Sequence, residues 1–72
     1  MDDRKKLILD LLKEKDMYGF EIVENLERKS EAVFKESAGN LYPLLHELKK
    51  EKQLKSYHFE ENGKRRKYYK IL

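Results

Sequence analysis

The chain has 72 residues, room for one small domain with a modest core, since a chain this size buries only roughly 60% of the surface its unfolded form exposes. Hydrophobic residues make up 39% and charged ones 43%, but Leu, Ile, Tyr and Phe recur at regular spacing, which excludes a disordered chain. The absence of Cys excludes a disulfide framework and Cys-based zinc sites; the opening Met1-Asp2-Asp3-Arg4, with the apolar run Leu7-Ile8-Leu9 cut by Asp10, is neither a secretory signal nor a membrane span, so a cytoplasmic protein is expected.

The first predicted element is a helix of about three turns. Asp2 or Asp3 can accept backbone N–H bonds at its start, Leu7, Ile8, Leu11 and Leu12 recur at helical spacing, and the helix is expected to end near Lys15. Lys15-Asp16-Met17 reads as a short connection. A second apolar stripe follows in Ile22, Val23 and Leu26, led in by Tyr18 or Phe20. Glu21, Glu24 and Glu27 suit the N-terminal half of that helix, and Arg28 and Lys29 suit its end, placed at Ser30.

Ala32-Val33-Phe34-Lys35 is β-branched and aromatic and too brief for a helix, so a short strand beside the later hairpin is expected near residues 32–35. Ser37 is a suitable N-cap for a third helix from about Ala38 to Glu51, whose buried stripe is Leu41, Leu44, Leu45 and Leu48. The opposite edge displays Asn40, Tyr42, His46, Lys49 and Lys50. Pro43 lies early in this helix, where its missing N–H costs least, and Gly39 four residues before it relieves crowding.

Leu54 to Glu61 and Lys64 to Leu72 flank Asn62-Gly63, a strong hairpin signal because a type I′ turn needs positive φ at both central residues. That register sets Leu54 opposite Ile71 and Ser56 opposite Tyr69 on one face, with Tyr57 opposite Tyr68 and Phe59 opposite Arg66 on the other. Glu60 then faces Arg65, and Glu61 faces Lys64. The order helix, helix, weak strand, helix, strand, strand predicts an α+β winged helix-turn-helix, a single domain over residues 1–72 with a C-terminal hairpin as its wing.

Charge follows the same division. Residues 1–36 hold eight Lys and Arg against ten Asp and Glu, whereas residues 37–72 hold nine against four, so the halves carry −2 and +5. A helix followed by a basic hairpin is how a winged helix holds double-stranded DNA. Asn40 suits a base edge, adenine above all, and the Tyr42 hydroxyl a phosphate. Tyr42 and Pro43 could instead be mere packing. His46 beside Lys49 is a phosphate ligand or a bystander. Tyr18 either bonds phosphate at the start of the second helix or closes the core. The run Lys64-Arg65-Arg66-Lys67 is a solvated face or, at the tip of a ribbon that can reach a groove, a DNA contact. Strand alternation sends Arg66 and Lys67 to opposite faces, so no more than one of the two is expected to follow the DNA closely.

Tyr18-Gly19-Phe20-Glu21-Ile22, then Gly39-Asn40-Leu41-Tyr42-Pro43 with Leu45-His46 and Leu48, then Asn62-Gly63 with Arg66-Lys67-Tyr68-Tyr69, resemble the DNA-binding domain of PadR-type transcriptional regulators. The resemblance spans nearly the whole chain and implies a winged helix-turn-helix repressor that reads operator DNA with the third helix and the wing. Position 40 in that family is more often Ser or Thr, and a Gly usually stands where this chain has Lys52. Family members generally continue into C-terminal helices that form the dimer interface; this chain stops at Leu72, so any homodimer is expected to use another surface. The set expected at the DNA is Tyr18, Ser37, Gly39, Asn40, Tyr42, Pro43, His46, Lys49, Lys64, Arg65, Arg66 and Lys67.

The rival reading is a winged helix that docks a protein or serves as an assembly subunit, using Tyr57, Phe59 and Tyr68 on the outer wing face. An enzyme is not expected. His46 and His58 lie on different elements without metal-ligand spacing, no Ser-His-Asp arrangement occurs, and no glycine-rich phosphate loop precedes a helix. Neither a cofactor nor a small-molecule ligand is indicated.

Overall fold

The computed structural model describes residues 3–29 and 38–72. Helix α1 spans Asp3–Leu12, strand β1 Met17–Tyr18, helix α2 Gly19–Lys29, helix α3 Ala38–Lys50, strand β2 Leu54–Glu61 and strand β3 Lys64–Ile71. The strands form one antiparallel sheet in the order β1-β3-β2. The short strand expected near residues 32–35 and the Ser37 cap lie outside the described residues.

Apolar side chains at helical spacing account for the packing of the three helices. Ile8, Leu11 and Leu12 of α1, Ile22, Val23 and Leu26 of α2, and Leu41, Leu44, Leu45 and Leu48 of α3 are all buried in one cluster, which Met17, Leu54 and Tyr69 close from the sheet side. Leu7, Leu9 and Ile71 pack half-buried at its margin. Fully burying side chains of this kind contributes roughly 1.5–3 kcal/mol each. Lys5 joins α1 to the far end of α3 through Glu51 Oε2 at 3.0 Å and Glu47 Oε1 at 3.4 Å.

Two boundaries differ from the sequence reading. Helix α1 stops at Leu12 instead of near Lys15. The Lys13 amide still bonds Leu9 O, but the Glu14 amide bonds Leu11 O three residues back, a tightened last turn that lets the chain leave toward the sheet. The segment read as a connection supplies β1, with Met17 opposite Tyr69 and Tyr18 opposite Tyr68. Its cause is tertiary: Met17 is held in the core, and the edge of β3 offers backbone groups that need partners.

The hairpin register is as expected along its whole length, from Leu54 opposite Ile71 to Glu61 opposite Lys64. Asn62 and Gly63 take φ values of 53° and 77°, the positive pair that a type I′ turn demands. Strand alternation then sorts the faces. Leu54 and Tyr69 go into the core, while Tyr57 and Tyr68 stack on the outside with centroids 5.7 Å apart and planes at 13°.

Helix α3 ends at Lys50, and the chain turns on Lys52, which holds φ 61°. The Gln53 amide bonds Leu48 O at 2.9 Å and the Lys52 amide bonds Lys49 O at 3.0 Å, the paired closure of a Schellman cap. A side chain thus occupies the left-handed position that glycine fills most easily.

Candidate nucleic-acid interface

The junction of β1 and α2 is built around Tyr18. Its amide donates to Glu21 Oε1 at 3.4 Å, the return arm of a capping box that fixes the first turn of α2, and Lys15 holds the other oxygen of Glu21 at 3.1 Å. The Tyr18 ring meets Tyr68 edge-on at 5.5 Å and carries the Arg66 guanidinium 4.5 Å above its centroid. Tyr18 is therefore both a link in the sheet and an aromatic platform for a wing cation.

Beyond Tyr18, β1 ends, and among the described residues no strand pairs with Lys64 to Lys67 on the side of β3 away from β2. An open basin of about 550 Å³ forms there, lined by Tyr18, Gly19, Phe20, Tyr42, Lys64, Arg66, Lys67 and Tyr69. Three cations and four aromatic rings from β1, α2, α3 and β3 thus converge beside the start of α2. A neighbouring hollow of about 250 Å³, lined by Tyr42, His46, Lys49, Lys67 and Tyr69, continues along α3. The combined surface is a cationic, aromatic trough shared by a helix and a wing.

Within the trough, Lys67 Nζ lies 5.8 Å from the Tyr69 ring centroid. Burial, and secondarily the Tyr42 phenol, pushes Tyr69 above its ordinary pKa, so it remains a neutral hydroxyl at physiological pH. Lys49 donates to Ser56 Oγ at 2.9 Å, tying α3 to the base of the wing. Tyr42 is half exposed, and its hydroxyl reaches the basin across Gly19.

Of the residues expected at the DNA, the structure brings Tyr18, Tyr42, His46, Lys49, Lys64, Arg66 and Lys67 to these two hollows. Gly39 and Asn40 lie in the first turn of α3, and Ser37 falls outside the described residues. Pro43 is exposed on α3, and Arg65 is exposed at the wing tip; they line neither hollow. Alternation does separate Arg66 from Lys67, yet both reach the basin, because it wraps around the strand edge instead of lying on one face. Gly19 and Phe20 also line the basin but stood outside the expected set. Their sequence signals were membership in the Tyr18-Gly19-Phe20 motif and, for Phe20, a place at the lead-in to the apolar stripe of the second helix.

The outer wing face is organised internally. Tyr68 touches Tyr18, Tyr57 and Phe59, and the Tyr57 hydroxyl donates to Asp16 Oδ2 at 2.7 Å. That bond first, then burial and the Asp16 charge, pushes the Tyr57 phenol up to about 12. Among the described residues no cluster of His, Asp or Glu could hold a metal ion, and no helix is long and apolar enough to cross a membrane.

Three helices with a hairpin beside the third, and a cationic trough shared by that helix and the hairpin, define a winged helix-turn-helix. Residues 8–71 match the model of the transcriptional regulator PadR-like family, and the chain belongs to that family. An uncharacterized protein of Lysinibacillus sphaericus is 33% identical over 66 residues, covering 90% of this chain and 61% of its own length. The chain thus spans less than two thirds of that curated relative. The crystal structure of a PadR family transcription regulator from Clostridium difficile is 33% identical, with a TM-score of 0.84 over 94% of this chain and 70% of its own. Bacillus subtilis PadR, crystallised in complex with operator DNA, shares the fold at 21% identity, with a TM-score of 0.82 over 97% of this chain and 40% of its own.

Proposed function

We propose that residues 1–72 form one DNA-binding unit of a cytoplasmic transcriptional regulator, a repressor that occupies operator DNA with α3 in the major groove and the wing on the backbone or adjacent minor groove. One observation carries this reading: Tyr18, Tyr42, Lys64, Arg66 and Lys67, drawn from three elements, line a single open basin next to the exposed edge of α3. Phosphates suit such a surface, since cations neutralise them and phenol hydroxyls donate to them. The same fold carries operator DNA in the Bacillus subtilis PadR complex.

In this arrangement Lys64, Arg66 and Lys67 supply charge, Tyr18 and Tyr42 supply directed donors, and Asn40, in the first turn of α3, reads a base edge. Binding to mixed-sequence duplex by one copy is weak, near the roughly 10⁻⁴ to 10⁻⁶ M typical of nonspecific contact at physiological salt. A second copy, joined through the α1 margin where Leu9 and Ile71 lie half-buried, raises it.

Titration of a labelled duplex by fluorescence anisotropy tests the reading, with Tyr42→Phe as the variant and sedimentation as the check on copy number. Duplex binding that weakens with salt, and weakens further in Tyr42→Phe, is expected. A folded protein that ignores duplex DNA at low salt would instead favour the protein-docking module, with exposed Phe59 on its outer face.

A further inference from the structure

Phe20 is 62% exposed, although it lies in the first turn of a helix whose other large apolar residues, Ile22, Val23 and Leu26, are all 7% exposed or less. Phe20 lies at the border of that stripe, i, i+3 from Val23, yet its ring stays in solvent, so the core does not account for it. It instead forms one wall of the basin, with Tyr42, Lys64, Arg66 and Lys67 on the others. An apolar ring at the rim of a cationic trough leaves water only when a ligand brings both anionic and apolar surface. A nucleotide does so: its phosphate suits the lysines, and its deoxyribose carbons or a thymine 5-methyl suit the ring.

We infer that Phe20 is an apolar contact to the duplex, packing on the CH surface of a nucleotide whose phosphate is held by the basin. This rests on the DNA-binding reading and adds a residue whose contribution is not electrostatic. Burying the ring removes apolar area from water without releasing a counterion, so its effect on affinity does not change with salt. Contact with a thymine methyl would also give Phe20 a part in sequence preference, because apolar side chains distinguish thymine from other bases by that group.

The test is a salt series of anisotropy titrations on a short mixed-sequence duplex and on its counterpart with every thymine replaced by uracil, using the wild type, Phe20→Ala and Phe20→Leu. Phe20→Ala is expected to bind roughly tenfold more weakly at every salt concentration, with the slope of log K against log salt unchanged. Phe20→Leu restores most of the loss. If the methyl is the partner, the uracil duplex costs the wild type about fourfold per contacted methyl and costs Phe20→Ala nothing. If deoxyribose is the partner, both proteins respond alike to uracil. Affinity unchanged in Phe20→Ala, or a loss that comes with a reduced salt slope, overturns the inference while leaving duplex binding by the wild type intact. Absence of wild-type duplex binding overturns the DNA-binding reading and this inference together. Melting curves keep the variants comparable, and Phe20→Gln replaces Phe20→Ala should the latter unfold.

Discussion

Tyr42 of α3 rests against the bare Cα of Gly19 at the start of α2. A Cβ at residue 19 would stand 3.0 Å from Tyr42 Cζ and 3.1 Å from Cε1, and nearer still to the hydroxyl. Gly19 therefore positions Tyr42 in the basin by leaving room for it. The second and third helices are keyed together at the point where the cationic trough is deepest in aromatic rings.

Gly19→Ala is accordingly expected to move the Tyr42 phenol and spare the fold. The ring is half exposed and can swing outward, and alanine suits a helix, so stability changes by less than about 1 kcal/mol. Duplex affinity falls by roughly tenfold, the value of one directed hydrogen bond to phosphate. Thermal melts paired with anisotropy titrations check this. A Gly19→Ala protein with undiminished affinity would mean that Tyr42 acts from another position.

Lys52 offers a stability prediction of opposite sign. It holds φ 61° at the cap of α3, where a side chain costs about 1 kcal/mol relative to glycine. Lys52→Gly should raise the unfolding free energy by about that amount, read as a higher urea midpoint at unchanged m-value. A lower midpoint would show that the lysine side chain contributes more than its backbone conformation costs.

The Tyr57 phenol gives a pH signature. Its pKa is pushed up to about 12, chiefly by donation to Asp16, from an ordinary value of 10.0. The raised pKa means that the protonated form is favoured in the folded state. This contribution to stability is complete below pH 10 and is lost as the pH rises through about 12. Ultraviolet titration of phenolate should show a tyrosine titrating near 12 that moves to lower pH in Asp16→Ala. An unchanged titration curve in that variant would remove Asp16 as the cause.

Asn40 separates reading from anchoring. Asn40→Ala should flatten base preference at one position, at a cost of about 1–3 kcal/mol on the best site, and leave the salt slope nearly unchanged. Selection from a randomised duplex pool measures the first effect, and a salt series measures the second. Equal weakening on all sequences would make residue 40 a phosphate or capping group.

Local pattern carried most of this architecture into the sequence. The four leucines of α3 repeat at helical spacing, and Asn62-Gly63 fixes a hairpin whose alternation then dictates every cross-strand pair from Leu54 to Lys64. Strand β1 was illegible because two residues have no period; Met17 and Tyr18 pair only because β3 passes beside them. The basin was legible as a list of cations and tyrosines but not as a shape. Nothing local shows that β1 pairs only with Tyr68 and Tyr69 of β3, or that Gly19 lies beneath Tyr42 from a different helix. Phe20 was missed for the same reason, since an aromatic beside a helical stripe reads as core until its direction is known.

The most direct test of a DNA-binding trough is the salt dependence of duplex affinity for the wild type and for the double variant Lys64→Ala with Lys67→Ala. Both lysines line the basin and are exposed, so their loss should leave the melting curve almost unchanged. Each phosphate contact adds close to one unit to the slope of log K against log salt. The double variant should therefore bind every duplex more weakly and show a slope smaller by about two. A folded double variant with the affinity and salt slope of the wild type would contradict the assignment of this trough to DNA.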